Sequence, residues 1–401
     1  MQPSITSTQS FRANPYAIYA DLREHSPVTL STRADGSAVY LVSRAAEIFD
    51  CLRDARLKKN IYNTRTPTLF QRLFLRPIVG SNMLKADPPD HTRLRRLASD
   101  AFAPRTIAAW EPHIEQIAHR LIDAVAATGT IDLIRDYALP LPLTVITDML
   151  GIPATDHHRF HTWSSNLINA GVISSGVTVL NRDIIQLSMY MRGHIRRRQK
   201  VLGTDLLSQL IQAHLGEDRL SPTELVSTAI LLLIAGHETT VNLIGNGLAT
   251  LLQLPDQCDH LIAHPEAIPA AVEELLRLCS PVQLVNRYAA EPLVIADVAI
   301  PRGAHIQLLI GSANHDGALF ADPDSYQLNQ AESKHLAFSH GIHFCLGAPL
   351  ARLEGAVALR VLLERLPTLR LSDPVAPLEW RPSIELRGLT RLPAQFTVPV
   401  R

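Results

Sequence analysis

Apolar positions recur at helical spacing along most of the chain, and strand-like alternation is confined to short stretches mostly near its ends. Helix-period segments fall at 15–24, 92–102, 107–127, 143–150 and 346–366. Strand-like runs fall at 28–30 and 38–41, then across 282–307 with turns at Ala296-Asp297 and Arg302-Gly303. The tail, 384–400, reads as a hairpin around Gly388. The pattern predicts a mainly α protein with small β-sheets. No repeat or long linker interrupts it, so 1–401 is expected to form a single domain.

The best-defined element is 221–254. It opens on Ser221-Pro222-Thr223-Glu224, a capping box with proline at the first helical position, and stops at Pro255. About 33 residues at 1.5 Å each predict a helix of roughly 50 Å. It is apolar nearly all round over 229–235, so it is expected to cross the core. Its strongly apolar run, 226–236, is shorter than the ~20 residues a bilayer needs, so protein is its expected surrounding.

Composition narrows the function classes. Lys and Arg number 38 against 38 Asp and Glu, which argues against a nucleic-acid binder. The apolar share of 46% and charged share of 19% are enough for a large core. Cysteines stand at 51, 258, 279 and 345 with no CxxC pair, so neither a zinc ribbon nor a disulfide framework is expected. Residues 1–14 are polar and lack the apolar core of a signal peptide. A cytoplasmic protein in a reducing compartment, with no membrane contact, is the expectation.

Three segments carry candidate chemistry. Ala235-Gly236-His237-Glu238-Thr239-Thr240 breaks the pattern of the long helix at its middle. Glycine weakens a helix interior, and threonine can bond back to a carbonyl and bend it. A loosened midpoint beside a groove is expected, with a kinked core helix as the plainer reading. It is no HExxH zinc site, because Val241 occupies the second histidine position. Gly245-Asn246-Gly247 lies inside the helix, so it is no dinucleotide loop. Glu274 and Arg277 are three apart on a helix and can pair; alone, such pairs are mostly exposed and weak. In the third segment, 338–349, Cys345 sits just before a helix start, flanked by Gly341 and Gly347. Helix-end amides can favour its thiolate. Three uses stay open: a nucleophile with His343 as base, a multi-cysteine metal site lacking partners, or a single axial ligand to haem iron. A buried, inert thiol suits Cys51, Cys258 and Cys279 better.

These segments, in this order and spacing, resemble the bacterial soluble cytochromes P450, the haem-thiolate monooxygenases. Phe338 to Gly347 matches the family's F-x-x-G-x-H-x-C-x-G, Gly236-Glu238-Thr239 its oxygen-activating helix segment, and Glu274 with Arg277 its E-x-x-R pair. The resemblance covers essentially the whole chain. It implies the family's prism-like α fold, with haem b between the long central helix and the helix after the cysteine loop. It implies Cys345 as the metal ligand, with Gly236 and Gly347 beside the haem. His91 and Arg95, four apart in Asp90-His91-Thr92-Arg93-Leu94-Arg95, then match propionate donors, as do Arg287 and His343. Thr239 is implied to steer protons to bound dioxygen and Glu238 to organise the water chain that delivers them.

By the same resemblance, electrons come from a ferredoxin and ferredoxin reductase, with Arg93, Arg96 and Arg352 as candidates for a basic docking face. An apolar substrate of secondary metabolism (terpenoid, polyketide or fatty acid) is implied, with O2 as co-substrate. Its pocket is expected from 61–83, 166–179, 232–239, 282–286 and Leu386, with Arg65, Arg72 and Arg76 as carboxylate candidates. A monomer is expected. Three positions depart from the family pattern: Ser339 replaces a glycine, His315 an arginine, and Gln330 an arginine of the Glu274–Arg277 network. A peroxide-driven or non-oxygenating haem-thiolate enzyme is one alternative, and a haem-binding sensor or carrier is another.

Overall fold

Asn14 starts the first helix by accepting the Tyr16 N–H on its side chain at 3.1 Å, and Pro15 fixes the first turn. The computed structural model describes residues 11, 14–33, 35–63, 82–169, 182–203, 205–215, 220–328 and 334–398. Helix α1 (Pro15–His25) leads into β1 (Val28–Thr32), β2 (Ala38–Val42), α2 (Ala45–Arg53) and β3 (Leu57–Lys58). A mostly helical stretch follows: α3 (Asp90–Ser99), α4 (Pro104–Ala108), α5 (Glu111–Val125), the short strand β4 (Thr130–Asp132), α6 (Pro140–Met149), α7 (His157–Asn169), α8 (Arg182–Lys200), α9 (Leu206–Leu215), α10 (Pro222–Leu251), α11 (Pro255–Ala263) and α12 (Ile268–Leu278). Then come β5 (Val285–Ala289), β6 (Leu293–Ile295), β7 (Val298–Ile300), β8 (His305–Leu308), α13 (Ile310–Ala313), α14 (Ala348–Arg365), β9 (Arg370–Leu371) and β10 (Pro393–Gln395).

The main sheet has the order β1-β2-β8-β5-β3, antiparallel except for the parallel β2–β8 pair. That parallel pair joins the N-terminal hairpin to the late strands, and the antiparallel β5–β8 register sets Arg287 opposite Ile306. The expected turns occur where Ala296, Asp297 and Gly303 take positive φ of 43°, 64° and 78°. The mainly α reading with small sheets therefore holds. Two boundaries differ. The segment expected as one helix over 107–127 is α4 and α5, because Pro112 lacks the N–H a continuing helix needs and sits instead in the first turn of α5. The tail is not a hairpin over 384–400. Its return turn lies nearer 383–385, where Arg381 N–H meets Gly388 O at 2.9 Å and Thr390 N–H meets Glu379 O at 2.9 Å. β10 then pairs with the distant β4 and β9. Gly388 is in the returning limb, where a Cβ would overlap the Asn242 side chain.

Helix α10 carries the predicted capping box: Ser221 accepts the Glu224 N–H and Glu224 accepts the Ser221 N–H. It packs against α6, α8, α12 and α14. By length and composition it could cross a membrane, but 78% of its apolar window is buried inside the protein. Leu225, Ala229, Leu233, Ile244 and Leu248 fill the main core with residues of α5, α6 and α14. Between Leu231 and Leu243 one side of the same helix forms a cavity wall.

Candidate active site

The Cys345 loop is held on α2. Gly341 takes φ +72°, and a Cβ there would lie 2.8 Å from the Leu52 carbonyl oxygen, so the backbones can approach only at glycine. Ser339 also takes positive φ, +63°, which accounts for glycine being the pattern residue there. The Cys345 N–H donates to Phe338 O at 2.9 Å. Its sulfur opens on a cavity of about 350 Å³. The N–H groups of Gly347 and Ala348 and the charges of Arg95 and Arg352 pull its pKa down, yet burial outweighs them and the net shift is upward. The amides alone therefore do not make a thiolate; coordination to a metal would. The other cysteines fit the inert reading. Cys258 and Cys279 donate to Leu251 O and Leu275 O at 3.1 and 3.0 Å, and burial pushes Cys51 to about 12. Among the described residues no three His, Cys, Asp or Glu side chains are placed to share a metal ion, so a multi-ligand site is not formed.

Across the cavity stands α10. The expected loosening at its midpoint is absent, and the helix runs unbroken from Pro222 to Leu251. Thr239 Oγ1 donates to Ala235 O at 2.9 Å and Thr240 Oγ1 to Gly236 O at 3.3 Å, so the hydroxyls are satisfied without breaking the ladder. Gly236 lines the cavity, but it also gives room to a neighbour, since a Cβ would sit 3.2 Å from Ile146. Glu238 is buried and pairs with Arg381, a residue of the C-terminal turn that sequence reasoning missed. His237 donates from Nδ1 to Leu233 O at 2.9 Å, and its Nε2 lies 3.5 Å from Glu238. Burial lowers its pKa to about 4, so it is neutral near pH 7.

A third wall is cationic. His91 and Arg95 of α3, Arg287 of β5, and His343 all line the cavity, as expected. The His91 and His343 rings are 4.3 Å apart, and Arg95 Nη1 donates to Phe344 O at 2.7 Å. Arg287 is buried and donates to Asn286 O at 3.0 Å. Burial lowers Arg287 to about 10, and burial with the surrounding cations takes His343 to about 2. Lys59 and Lys85 also line the cavity, lowered chiefly by burial to about 7 and 8. Sequence reasoning missed both; an isolated lysine beside the apolar Met83-Leu84 was the available signal. Among the described residues, His91, Arg287, His343 and Lys59 have no carboxylate ion pair. Such a set calls for an anionic group brought from outside the chain. With one sulfur opposite, these residues fit haem: a planar apolar body, one axial ligand, and two carboxylates at one edge.

Glu274 and Arg277 are not an exposed pair. Both are buried, with Arg277 Nε and Nη2 donating to the two Glu274 oxygens at 2.8 and 2.7 Å. Arg277 also donates to the carbonyls of Asn314, Pro323 and Ser325. Glu274 accepts the Gln327 N–H at 2.7 Å, a neutral third contact where the family pattern has an arginine nearby; Gln330 itself is outside the described residues. His315 takes up Asp324 and Leu278 O at 2.7 and 2.9 Å. Arg93 is tied to Glu224 at the start of α10. Arg352, bonded to Glu273 and stacked on Phe338, stays half-exposed beside the Cys345 loop. Ile61, Met83, Leu232, Val282, Val285, Asn286 and Leu386 line the cavity as expected. Asn166 instead bonds Asp183 at the surface. Arg65, Arg72, Arg76 and most of 61–83 and 166–179 are outside the described residues.

The Cytochrome P450 family model matches residues 262–384, which span the Glu274–Arg277 pair, the late strands and the Cys345 loop. Cytochrome P450 107B1 of Saccharopolyspora erythraea is 39% identical over 393 residues, covering 96% of each chain. The polyketide biosynthesis cytochrome P450 PksS of Bacillus subtilis is 37% identical over 396 residues, covering 97% of each. Among solved structures, P450BioI in complex with an acyl carrier protein ligated to hexadec-9Z-enoic acid superposes with a TM-score of 0.89 at 36% identity, covering 98% of this chain and 100% of that one. At such identity over nearly the full length of both partners, the chain belongs to the cytochrome P450 family.

Proposed function

We propose that this cytochrome P450 monooxygenase, whose cofactor is haem with a cysteine thiolate as axial ligand, hydroxylates or epoxidises an apolar polyketide-, fatty-acid- or terpenoid-like molecule. The observation that carries the reading is the cavity shared by the Cys345 sulfur, the Thr239–Glu238 segment and the cation set. Bound haem supplies the iron at which dioxygen is activated. Cys345 would ligate it, Gly347 would leave room beside it, and His91, Arg95, Arg287 and His343 would hold its carboxylates. Leu232, Val282, Val285 and Leu386 exclude water and orient the substrate by apolar contact. The relatives named for polyketide biosynthesis and seen with a fatty-acyl carrier protein support this substrate class.

Thr239 is placed to pass a proton at its hydroxyl, which donates to Ala235 O and keeps lone pairs for an incoming donor. Glu238, anchored by Arg381, holds the water chain that brings protons to Thr239. Thr239→Ala is expected to leave the haem spectrum intact while more peroxide is released per electron consumed; unchanged coupling would remove Thr239 from proton delivery. The Glu238–Thr239 pair disfavours a peroxide-driven enzyme. Electrons are assigned to a ferredoxin and its reductase, with Arg352 and Arg96 as docking charges in a monomeric, cytoplasmic protein of one domain. Product formed with a ferredoxin system separates this reading from a sensor or carrier.

A further inference from the structure

The cationic wall holds two lysines, Lys59 and Lys85, beyond the four propionate donors. Lys59, next after β3, lies in the cavity with Arg287 and His343 for neighbours. Its backbone is fixed from the opposite side by Asp87. Asp87 Oδ1 accepts the Lys59 N–H at 2.8 Å, while Oδ2 accepts the Asn60 N–H at 3.1 Å and Asn63 Nδ2 at 2.6 Å. The Asp87 carbonyl accepts the His91 N–H at 3.0 Å. One residue thus locks the end of β3 to the start of α3, the helix that carries His91 and Arg95.

Both Asp87 oxygens are engaged by backbone and amide donors. Among the described residues no carboxylate forms an ion pair with the Lys59 ammonium; Glu385 and Asp87 act on it only from farther away. An ammonium beside Arg287 and Lys85 costs both desolvation and repulsion. Burial first, then Arg287, lowers its pKa to about 7. A carboxylate brought into the cavity relieves that cost. Arg287, the cation acting most strongly on Lys59, is already assigned to the haem edge, which favours a propionate over the acid group of a substrate.

We propose that Lys59 binds a haem propionate as a fifth donor beside His91, Arg95, Arg287 and His343, with Asp87 as its positioning residue. This rests on the haem reading of the cavity given above. The test follows haem transfer from the loaded protein to excess apomyoglobin. Lys59→Met is expected to speed loss of native haem about tenfold, the loss of one charge-assisted bond, with Lys59→Arg restoring most of the retention. Repeating the assay with haem dimethyl ester, whose propionates carry no charge, is expected to give one rate for wild type and Lys59→Met. Native haem lost at the wild-type rate from Lys59→Met overturns the proposal. So does a tenfold difference that persists with the ester, since Lys59 would then act through the fold. Weakened binding of palmitate with unchanged haem loss overturns it in favour of a substrate carboxylate. If the wild type itself takes up no haem, the cavity reading falls first and Lys59 with it; if only the Lys59→Met comparison fails, that reading stands.

Discussion

Ser339 shows how one residue records a family constraint and its cost. At φ +63° an L side chain crowds its own carbonyl, at about 1–2 kcal/mol. Glycine removes that crowding and returns part of the gain as backbone entropy. Ser339→Gly should therefore stabilise the protein by about 1 kcal/mol, read as a higher urea midpoint at unchanged slope. A lower midpoint would show that the serine is unstrained. At this scale, legibility followed chemistry. Cys345, Thr239, Glu274 and Arg277 were found in the sequence because residue type and short spacing carry their roles. Lys59 and Arg381 were not, because each reaches the site only through pairings between segments far apart in the chain: β3 with β5, and the C-terminal turn with α10.

Helix α14 carries a burden that its pattern hides. Glu354 is fully buried with its carboxyl oxygens out of good hydrogen-bond geometry, and burial raises its pKa to about 8 against the opposing effect of Thr240. The fold therefore holds it neutral, whereas the unfolded chain ionises it near its ordinary value of 4.5. Unfolding releases a proton across that interval, so stability falls as pH rises from about 4.5 to 8. Urea unfolding at pH 5 and pH 8 should show the wild type losing on the order of 3–5 kcal/mol from this group, and Glu354→Gln escaping that loss. Parallel pH profiles for the two would contradict it. The strongly periodic helices were legible, α10 above all, while several short strands and the helices of 157–215 were not singled out. Pro112 splits a helix whose apolar period continues past it, and Gly388 marks close packing on Asn242 instead of a turn. For the helix the period was read correctly and one proline decided the geometry; for the tail, a glycine set by packing was read as a turn.

Across the whole molecule, the Glu274–Arg277 pair joins α12 to the chain that leads into the Cys345 loop. Arg277 bonds carbonyls at 314, 323 and 325, and Asn314 in turn accepts the Leu336 N–H at 2.6 Å. Arg277→Ala leaves Glu274 buried without its counter-charge and should cost about 3–5 kcal/mol. Arg277→Lys should fail to restore it, because an ammonium cannot reach the carboxylate fork and three carbonyls together. Recovery of wild-type urea stability by the lysine variant would show that charge alone suffices.

The account rests on one axial sulfur from Cys345, and the spectrum of the reduced, carbon-monoxide-treated protein tests it most directly. Wild type should show the red-shifted Soret band of thiolate-ligated haem, and Cys345→Ala should lack it. A histidine-type band in the wild type, or a thiolate band surviving in Cys345→Ala, would contradict the account.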